Sequence, residues 1–214
     1  MKYNLLMEIF KNYSKIADLN LYIDEKYPGA VLKCSDSLDV SSATQAEIGP
    51  EDNNCSLVCI AKIILFYHDK STDVPEDLKD IYRDVLKIAR DNFRFTEKIG
   101  TFFTKIDNIL KASFAHYGIK VKAKGNYLWN FYSHIKGEID NGRPVIFNSA
   151  MGYYGSHSMI CYGYSIYRWQ NMDIKFIHVY DGWVSEPRYV DISKFAHNLI
   201  PLNGAMVSTV KLND

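Results

Sequence analysis

One cysteine, one histidine and one aspartate in this chain have the types and positions for shared chemistry: Cys55, His157 and Asp181. Cys55 lies at the first turn of the apolar run NNCSLVCIAKIILFYH, residues 53–68, directly after Asn53 and Asn54, both good N-cap residues. A thiol at a helix N-terminus sees the positive end of the helix dipole, which favours the thiolate. His157 opens the stretch HSMICYGY, where a histidine at the start of an otherwise apolar strand can project into a groove. A thiolate that attacks a carbonyl and an imidazolium that protonates the leaving group make an acyl-transfer site. A third group should orient the imidazole. Asp181, in VYDGW at the end of the next strand, is placed for that if the two strands are antiparallel neighbours.

Each residue also has a plainer reading. Cysteine is among the most buried residue types, so Cys55 alone could be packing, and Asp181 before Gly182 could be a turn residue. The other histidines, His68, His116, His134, His178 and His197, sit where surface or packing roles are the default. A metal reading arises because Cys55 and Cys59 are four apart, as are His157 and Cys161. Residues four apart in a strand are roughly 13 Å from each other, too far to share one ion. No metal is therefore expected, and Cys59 reads as packing.

The elements that must hold these groups follow from periodicity. Residues 1–33 read as an amphipathic opening and then LYIDEKYPGAVLK, with Pro28-Gly29 as a turn between short extended pieces. The Ser-, Asp- and Asn-rich stretch between Cys34 and Asn54 reads as a loop that delivers polar groups to the helix of Cys55. Beyond that buried helix, EDLKDIYRDVLKIARDNF forms another, capped by Thr72 or Asp73. TFFTKIDNILKASFAHYG forms the next, with Phe102 and Phe103 among its core positions and Gly118 as its stop. IKVKAK alternates as a strand and LWNFYSHIKGEIDNG is a further helix ended by Gly142. From Arg143 the period changes to β, in PVIFNSA, HSMICYGYSIYRW, DIKFIHVYDGW, RYVDI and AMVSTVKL. Helices first and an antiparallel sheet last predict an α+β fold. With no repeat or low-complexity linker, a single domain is expected over 1–214. It comprises an N-terminal structural extension at 1–44, a mainly helical half with the nucleophile at 45–142, and a β half with the histidine and aspartate at 143–214.

Composition narrows the function classes. Lys plus Arg equals Asp plus Glu, so net charge is zero and no long-range field argues for nucleic acid. Sixteen Tyr, eleven Phe and three Trp suit a packed interior with grooves for apolar or peptide ligands. The four cysteines are too few and too irregularly spaced for a disulfide framework, so reduced thiols are expected. The N-terminal run is broken by Glu8, Lys11 and Lys15 and lacks the form of a signal peptide, and no stretch approaches membrane-spanning length. A soluble chain without membrane insertion follows, cytoplasmic as it stands, or secreted if a leader has been removed.

Taken together, HSMICYGY and VYDGW resemble the papain-like cysteine peptidases, in which a catalytic histidine opens a strand ending in Gly-Tyr and an Asn or Asp precedes a small residue and Trp. Here these are His157, Gly163 and Tyr164, then Asp181, Gly182 and Trp183. NNCSLVCIAKIILFYH is similar to the nucleophile helix of the streptopain-type and bacteriocin-processing, double-glycine peptidase-like bacterial branches, and IKGEIDNGRPVIFNSA to the segment before their catalytic histidine. The resemblance covers about residues 45–192 and implies a papain-like fold and a thiol hydrolase acting on a peptide or protein substrate, without a cofactor. By similarity, the Cys55 main-chain N–H contributes to the oxyanion hole and Trp183 shields the contact between His157 and Asp181 from water. The chain departs from the pattern at two places. The family's usual oxyanion glutamine, about six residues before the cysteine, is replaced by Gly49, which leaves Gln45 as the nearest glutamine and Asn53 or Asn54 in reserve; the usual glycine after the nucleophile is Ser56. These departures motivate an alternative in which the same groove binds a peptide without hydrolysis, or passes its acyl group to an amine as a transglutaminase-like enzyme does.

Overall fold

The computed structural model describes residues 13–68, 73–126, 131–149, 153–195 and 205–213. Their elements run α1 (Leu19–Lys26), β1 (Val31–Ser37), α2 (Gln45–Ile48), α3 (Cys55–Phe66), α4 (Leu78–Phe93), α5 (Phe103–His116), β2 (Val121–Asn126), α6 (Phe131–Ile139), β3 (Val145–Ser149), β4 (His157–Trp169), β5 (Met172–Tyr180), β6 (Arg188–Asp191), α7 (Ile192–Phe195) and β7 (Ala205–Leu212). Helices dominate before Arg143 and strands after it, and every strand pair is antiparallel, so the fold is α+β and papain-like as expected.

The seven strands form one sheet in the order β2-β7-β3-β4-β5-β6, with β1 added beside β4. The 13-residue β4 has room for both partners: residues 157–161 pair with β3, residues 163–168 pair with β1, and β5 pairs along the strand from Ile160 to Trp169. The register shifts between Cys161 and Gly163, where β1 comes closest. A Cβ on Gly163 would stand 2.8 Å from the Asp36 carbonyl oxygen, so the glycine of the GY pair is needed for β1 to dock.

Both faces of the central strands are covered, which explains why β3 and β4 read as almost unbroken apolar runs. On one face α3 packs with α4 and α5 against Ile146, Ile160, Tyr162 and Val210; on the other, Ile135 and Ile139 of α6 pack against Phe147, Met159, Cys161 and Val179. α3 itself is buried from Ser56 through Ile64, Lys62 included. The nucleophile candidate therefore sits at the end of an element that has no freedom to tilt or slide.

Several expectations about element boundaries are corrected. LNLYIDEK is helix α1, because the Asp18 carboxylate accepts the Leu21 N–H and starts a turn that the Tyr- and Ile-rich composition does not announce. The loop before Cys55 is shorter than expected: β1 continues through Ser37 because it pairs with β4, and a capping box between Thr44 and Glu47 starts α2. α4 begins at Leu78 with Asp77 as its cap, in place of Asp73; Ser71 and Thr72 lie outside the described residues, as do residues 1–12, 128–130 and 196–200, the last including His197. No helix among the described residues is long and apolar enough to cross a membrane.

α1 is fixed to the sheet by a buried carboxylate. Asp191, fully buried at the end of β6, accepts hydrogen bonds from the Tyr22 hydroxyl at 3.1 Å, the Tyr27 hydroxyl at 2.5 Å and the Lys194 main-chain N–H at 3.2 Å. Burial pushes its pKa up although all three donors oppose the shift. Asp191→Ala strands two phenols at once, with an expected stability loss of about 2–4 kcal/mol. Urea unfolding followed by circular dichroism measures it, and an unchanged midpoint would disprove the anchoring role.

Candidate active site

The loop before Cys55 is built to hold the start of α3. Asn53 adopts a left-handed conformation, φ 54°, which Asn tolerates better than most side chains. Its amide donates to the Glu97 carbonyl at 2.7 Å, and Glu97 pairs with Arg90 of α4 at 2.7 Å. Asn54 occupies the N-cap position without capping through its side chain. Its amide instead donates to the Gly49 carbonyl and to the Tyr82 hydroxyl, each at 3.1 Å, and Tyr82 donates to Glu51 at 2.8 Å. The expected capping role of Asn54 is thus corrected: its donors pin the loop to itself and to α4. Of the two asparagines named as reserve oxyanion donors, Asn54 has both amide protons engaged, whereas Asn53 lines the cleft beside Cys55 and uses one of its two on Glu97.

His157 starts β4, paired opposite Ser149 of β3, and its imidazole meets the Cys55 thiol. Burial alone would raise the thiol pKa; the hydrogen bond and charge of His157, with Ser158 beside it, outweigh burial and hold it below the ordinary value. For His157 burial alone would lower the pKa, yet Cys55 and Asp181 together raise it. Both shifts favour the charged forms of the two groups. Ser158 gives its hydroxyl proton to Asn148 Oδ1 at 2.6 Å, and both its main chain and its side chain help to lower the thiol pKa.

Asp181 meets His157 in a way the sequence does not suggest. The imidazole Nε2 lies 2.7 Å from the main-chain carbonyl oxygen of Asp181, an acceptor only, so Nε2 carries the proton and Nδ1 is the nitrogen left for Cys55. The carboxylate turns elsewhere: Oδ1 accepts the Trp183 N–H at 2.9 Å and the Val184 N–H at 3.3 Å, and Oδ2 accepts the Tyr154 hydroxyl at 3.3 Å. Asp181 therefore meets His157 through its main chain and not through its side chain. The short Asx turn at Gly182, φ 76°, points the carbonyl at the imidazole and keeps the carboxylate for the turn itself.

Gln45 reaches the same turn. Its main-chain N–H donates to the Gly182 carbonyl at 2.8 Å, and its side chain packs so closely that a Cβ on Gly182 would lie 3.0 Å from Gln45 Nε2. An aromatic group closes the other side: the His157 ring stacks with Tyr154 at 5.7 Å between centroids and tilts against Trp183 at 4.7 Å, Trp183 as a residue being 45% exposed. Cys55 and His157 open into a cleft of about 100 Å³ whose far wall is Ile99, Gly100, Thr101 and Phe103. Phe103, 37% exposed, and Phe102, 59% exposed, are not core residues as their spacing implied; they stand at the start of α5, ahead of its buried face. Sequence reasoning also passed over Tyr154 and Ser158, although the aromatic doublet YY and the serine flank His157 within a few positions. Among the described residues no cluster of His, Cys, Asp or Glu fit to hold a metal ion occurs.

The model of the peptidase C39-like family matches residues 37–201, a span that contains Gln45, Cys55, His157, Asp181 and Trp183. The chain belongs to the peptidase C39-like family. No curated protein matches it. In this peptidase C39-like chain the matched span begins at the last residue of β1 and ends before β7, so α1, most of β1 and the segment around Lys15 lie outside it.

The four thiols differ enough to be told apart by labelling. The depressed folded-state pKa of Cys55 means that its thiolate persists as pH falls, until the pH passes below that pKa; the raised pKa of His157 keeps the imidazolium present until pH rises through it. Cys59 and Cys161 are buried and their pKa values are pushed up, Cys161 to about 12. Iodoacetamide at about pH 6 should therefore modify Cys55 first, ahead of the exposed Cys34, and leave Cys59 and Cys161 unmodified. Peptide mapping by mass spectrometry reads the order; equal labelling of Cys34 and Cys55 would remove the case for an activated thiol.

Proposed function

We propose that this protein is a thiol hydrolase that cleaves a peptide or amide bond through Cys55, His157 and Asp181. The observation that carries the reading is the 2.7 Å contact of His157 Nε2 with the Asp181 carbonyl, an acceptor only, which leaves Nδ1 for the Cys55 thiol. In the first step the Cys55 thiolate adds to the substrate carbonyl carbon. The resulting oxyanion is met by the Cys55 main-chain N–H, free at the first turn of α3, and by the Gln45 carboxamide from across the Gly182 turn. Imidazolium Nδ1 then gives its proton to the departing amine, and a thioester remains on Cys55. In the second step the neutral imidazole takes a proton from water as the water oxygen attacks the thioester; the carbon–sulfur bond then breaks, which releases the acid and regenerates the thiolate–imidazolium pair.

Asp181 positions His157 through its carbonyl and adds its negative charge to the imidazolium's surroundings. Trp183 and Tyr154 keep the imidazole in a largely apolar pocket in which those electrostatic contacts are stronger than in water. No cofactor enters any step.

A peptide library analysed by mass spectrometry tests the reading. Cys55→Ala should abolish cleavage, His157→Ala should lower kcat by about 10²–10⁴, and Gln45→Ala by about 10²–10³. Asp181→Asn keeps the main-chain acceptor, so its loss should stay below about tenfold. Cleavage that survives Cys55→Ala would end the proposal, and products joined to an added amine in place of free acid would assign the acyl group to transfer.

A further inference from the structure

The segment from Tyr13 to Ala17 passes beside the candidate site although the family match does not include it. Ile16 is buried and exchanges main-chain hydrogen bonds with Tyr189 at the β6 edge, at 3.0 and 2.9 Å, which fixes the chain at that point. The preceding residue, Lys15, reaches the aromatic group around His157. Its ammonium donates to the Tyr153 hydroxyl at 3.1 Å and stands 4.9 Å from the Tyr153 ring centroid and 5.3 Å from that of Trp183. Trp183 in turn lies against His157, with 4.7 Å between centroids.

We propose that Lys15 is a positioning residue for this site: its ammonium, held by the Tyr153 hydroxyl and the Tyr153 and Trp183 rings, fixes Trp183 against the His157 imidazole. A half-exposed indole on a turn has several rotamers open to it, and each one that swings away admits water to the His157 Nε2 contact with Asp181. A cation on the ring face favours the one arrangement in which indole, phenol and ammonium meet. The anchor at Ile16 keeps that cation in place at little further entropic cost, since the main chain directly after Lys15 is already held by β6. The chain thus carries, outside the family's matched span, a strut that bears on the site through one tryptophan.

The inference rests on the Cys55–His157 pairing proposed above, and its test reads that pairing without needing a substrate. The ionisable groups around the pair are Cys59 and Lys62 behind Cys55 on α3, Asp181 and Tyr154 against the imidazole, and Arg188 of β6 beyond Tyr154; none of these is altered by the variants. The rate of Cys55 alkylation by iodoacetamide is followed between about pH 4 and pH 9, with thiolate formation setting its rise. Lys15→Met removes a positive charge and loosens Trp183, and both changes make the thiolate harder to form. The midpoint should move up by about half a pH unit, and Lys15→Arg, which keeps the cation and its ring contacts, should return it to the parent value. Tyr153→Phe, which removes only the hydroxyl, should give a smaller shift in the same direction and stands in if Lys15→Met does not fold. A Lys15→Met profile identical to the parent's, or a Lys15→Arg profile that stays with Lys15→Met, overturns the strut. A parent protein with no preferential labelling of Cys55 overturns the pairing itself, a result distinct from either.

Discussion

A main-chain carbonyl holds the imidazole of His157, and much of the fold can be traced to the need to keep that oxygen still. Asp181 follows directly on β5, which pairs with β4 across Ile160 and Tyr180, so the acceptor and the ring that donates to it sit on adjacent strands of one sheet. A side-chain acceptor would have rotamers of its own; a carbonyl has only the backbone to follow. The Asp181 carboxylate is used to stiffen that backbone, taking two N–H groups of the turn and the Tyr154 hydroxyl. In the function proposed above the residue orients at one remove, its acidic side chain shaping the turn that aims its own carbonyl.

The thiol is held by the opposite strategy, a rigid element end in place of a rigid turn. α3 is buried on all sides, and its only charged residue, Lys62, is 1% exposed with its ammonium 5.8 Å from the Tyr180 ring. Burial pushes the Lys62 pKa down, opposed by the nearby Cys59, Asp181 and Glu47. Tyr180 precedes Asp181 and stacks on Tyr162 of β4 at 4.4 Å, so the helix, the strand with the histidine and the turn with the carbonyl converge on one aromatic contact. Cys55 cannot move relative to His157 without disturbing that convergence, which is how a sulfur and an imidazole from elements far apart in sequence keep one geometry.

How much of this could be read beforehand depends on whether a role belongs to a side chain's type or to the backbone. The elements that Cys55 and His157 open were legible because their periodicity is unmistakable: α3 runs through the residues of CSLVCIAKIILF and β4 through those of HSMICYGYSIYRW. That Asp181 lies beside His157 was legible, but not the atom that makes the contact, since any amino acid supplies a carbonyl and no side chain announces its use. Asn54 misled because a good N-cap residue also makes a good loop tie, and only the position of Tyr82, 28 residues away, decides between them. α1 was missed because its eight residues carry a weak helical pattern and depend on Asp18 for a start and on Asp191 for a place to pack. Phe102 and Phe103 fitted the helical period of α5 but are its N-cap and first residue, where the period does not settle burial, and Phe103 lines the cleft.

The parts of the chain outside the matched family span are bound into the same structure. β7 lies between β2 and β3, and without it the edge strand that pairs with it residue for residue would have no partner on the sheet. β1 covers the half of β4 that β3 is too short to reach; that half would otherwise offer a row of unpaired N–H and C=O groups as an open edge. β4 carries His157 at its first residue, so pairing along its far half bears on the site through the stiffness of one strand. The segment at Lys15 arrives from the same N-terminal region, tied to β6 by Ile16 and to the site by its ammonium. Added segments that complete a sheet are constrained to run close to whatever that sheet supports, and here the sheet supports the imidazole. Contact between this N-terminal region and the candidate site is therefore a consequence of strand pairing, and Lys15 is the residue through which that proximity becomes chemical.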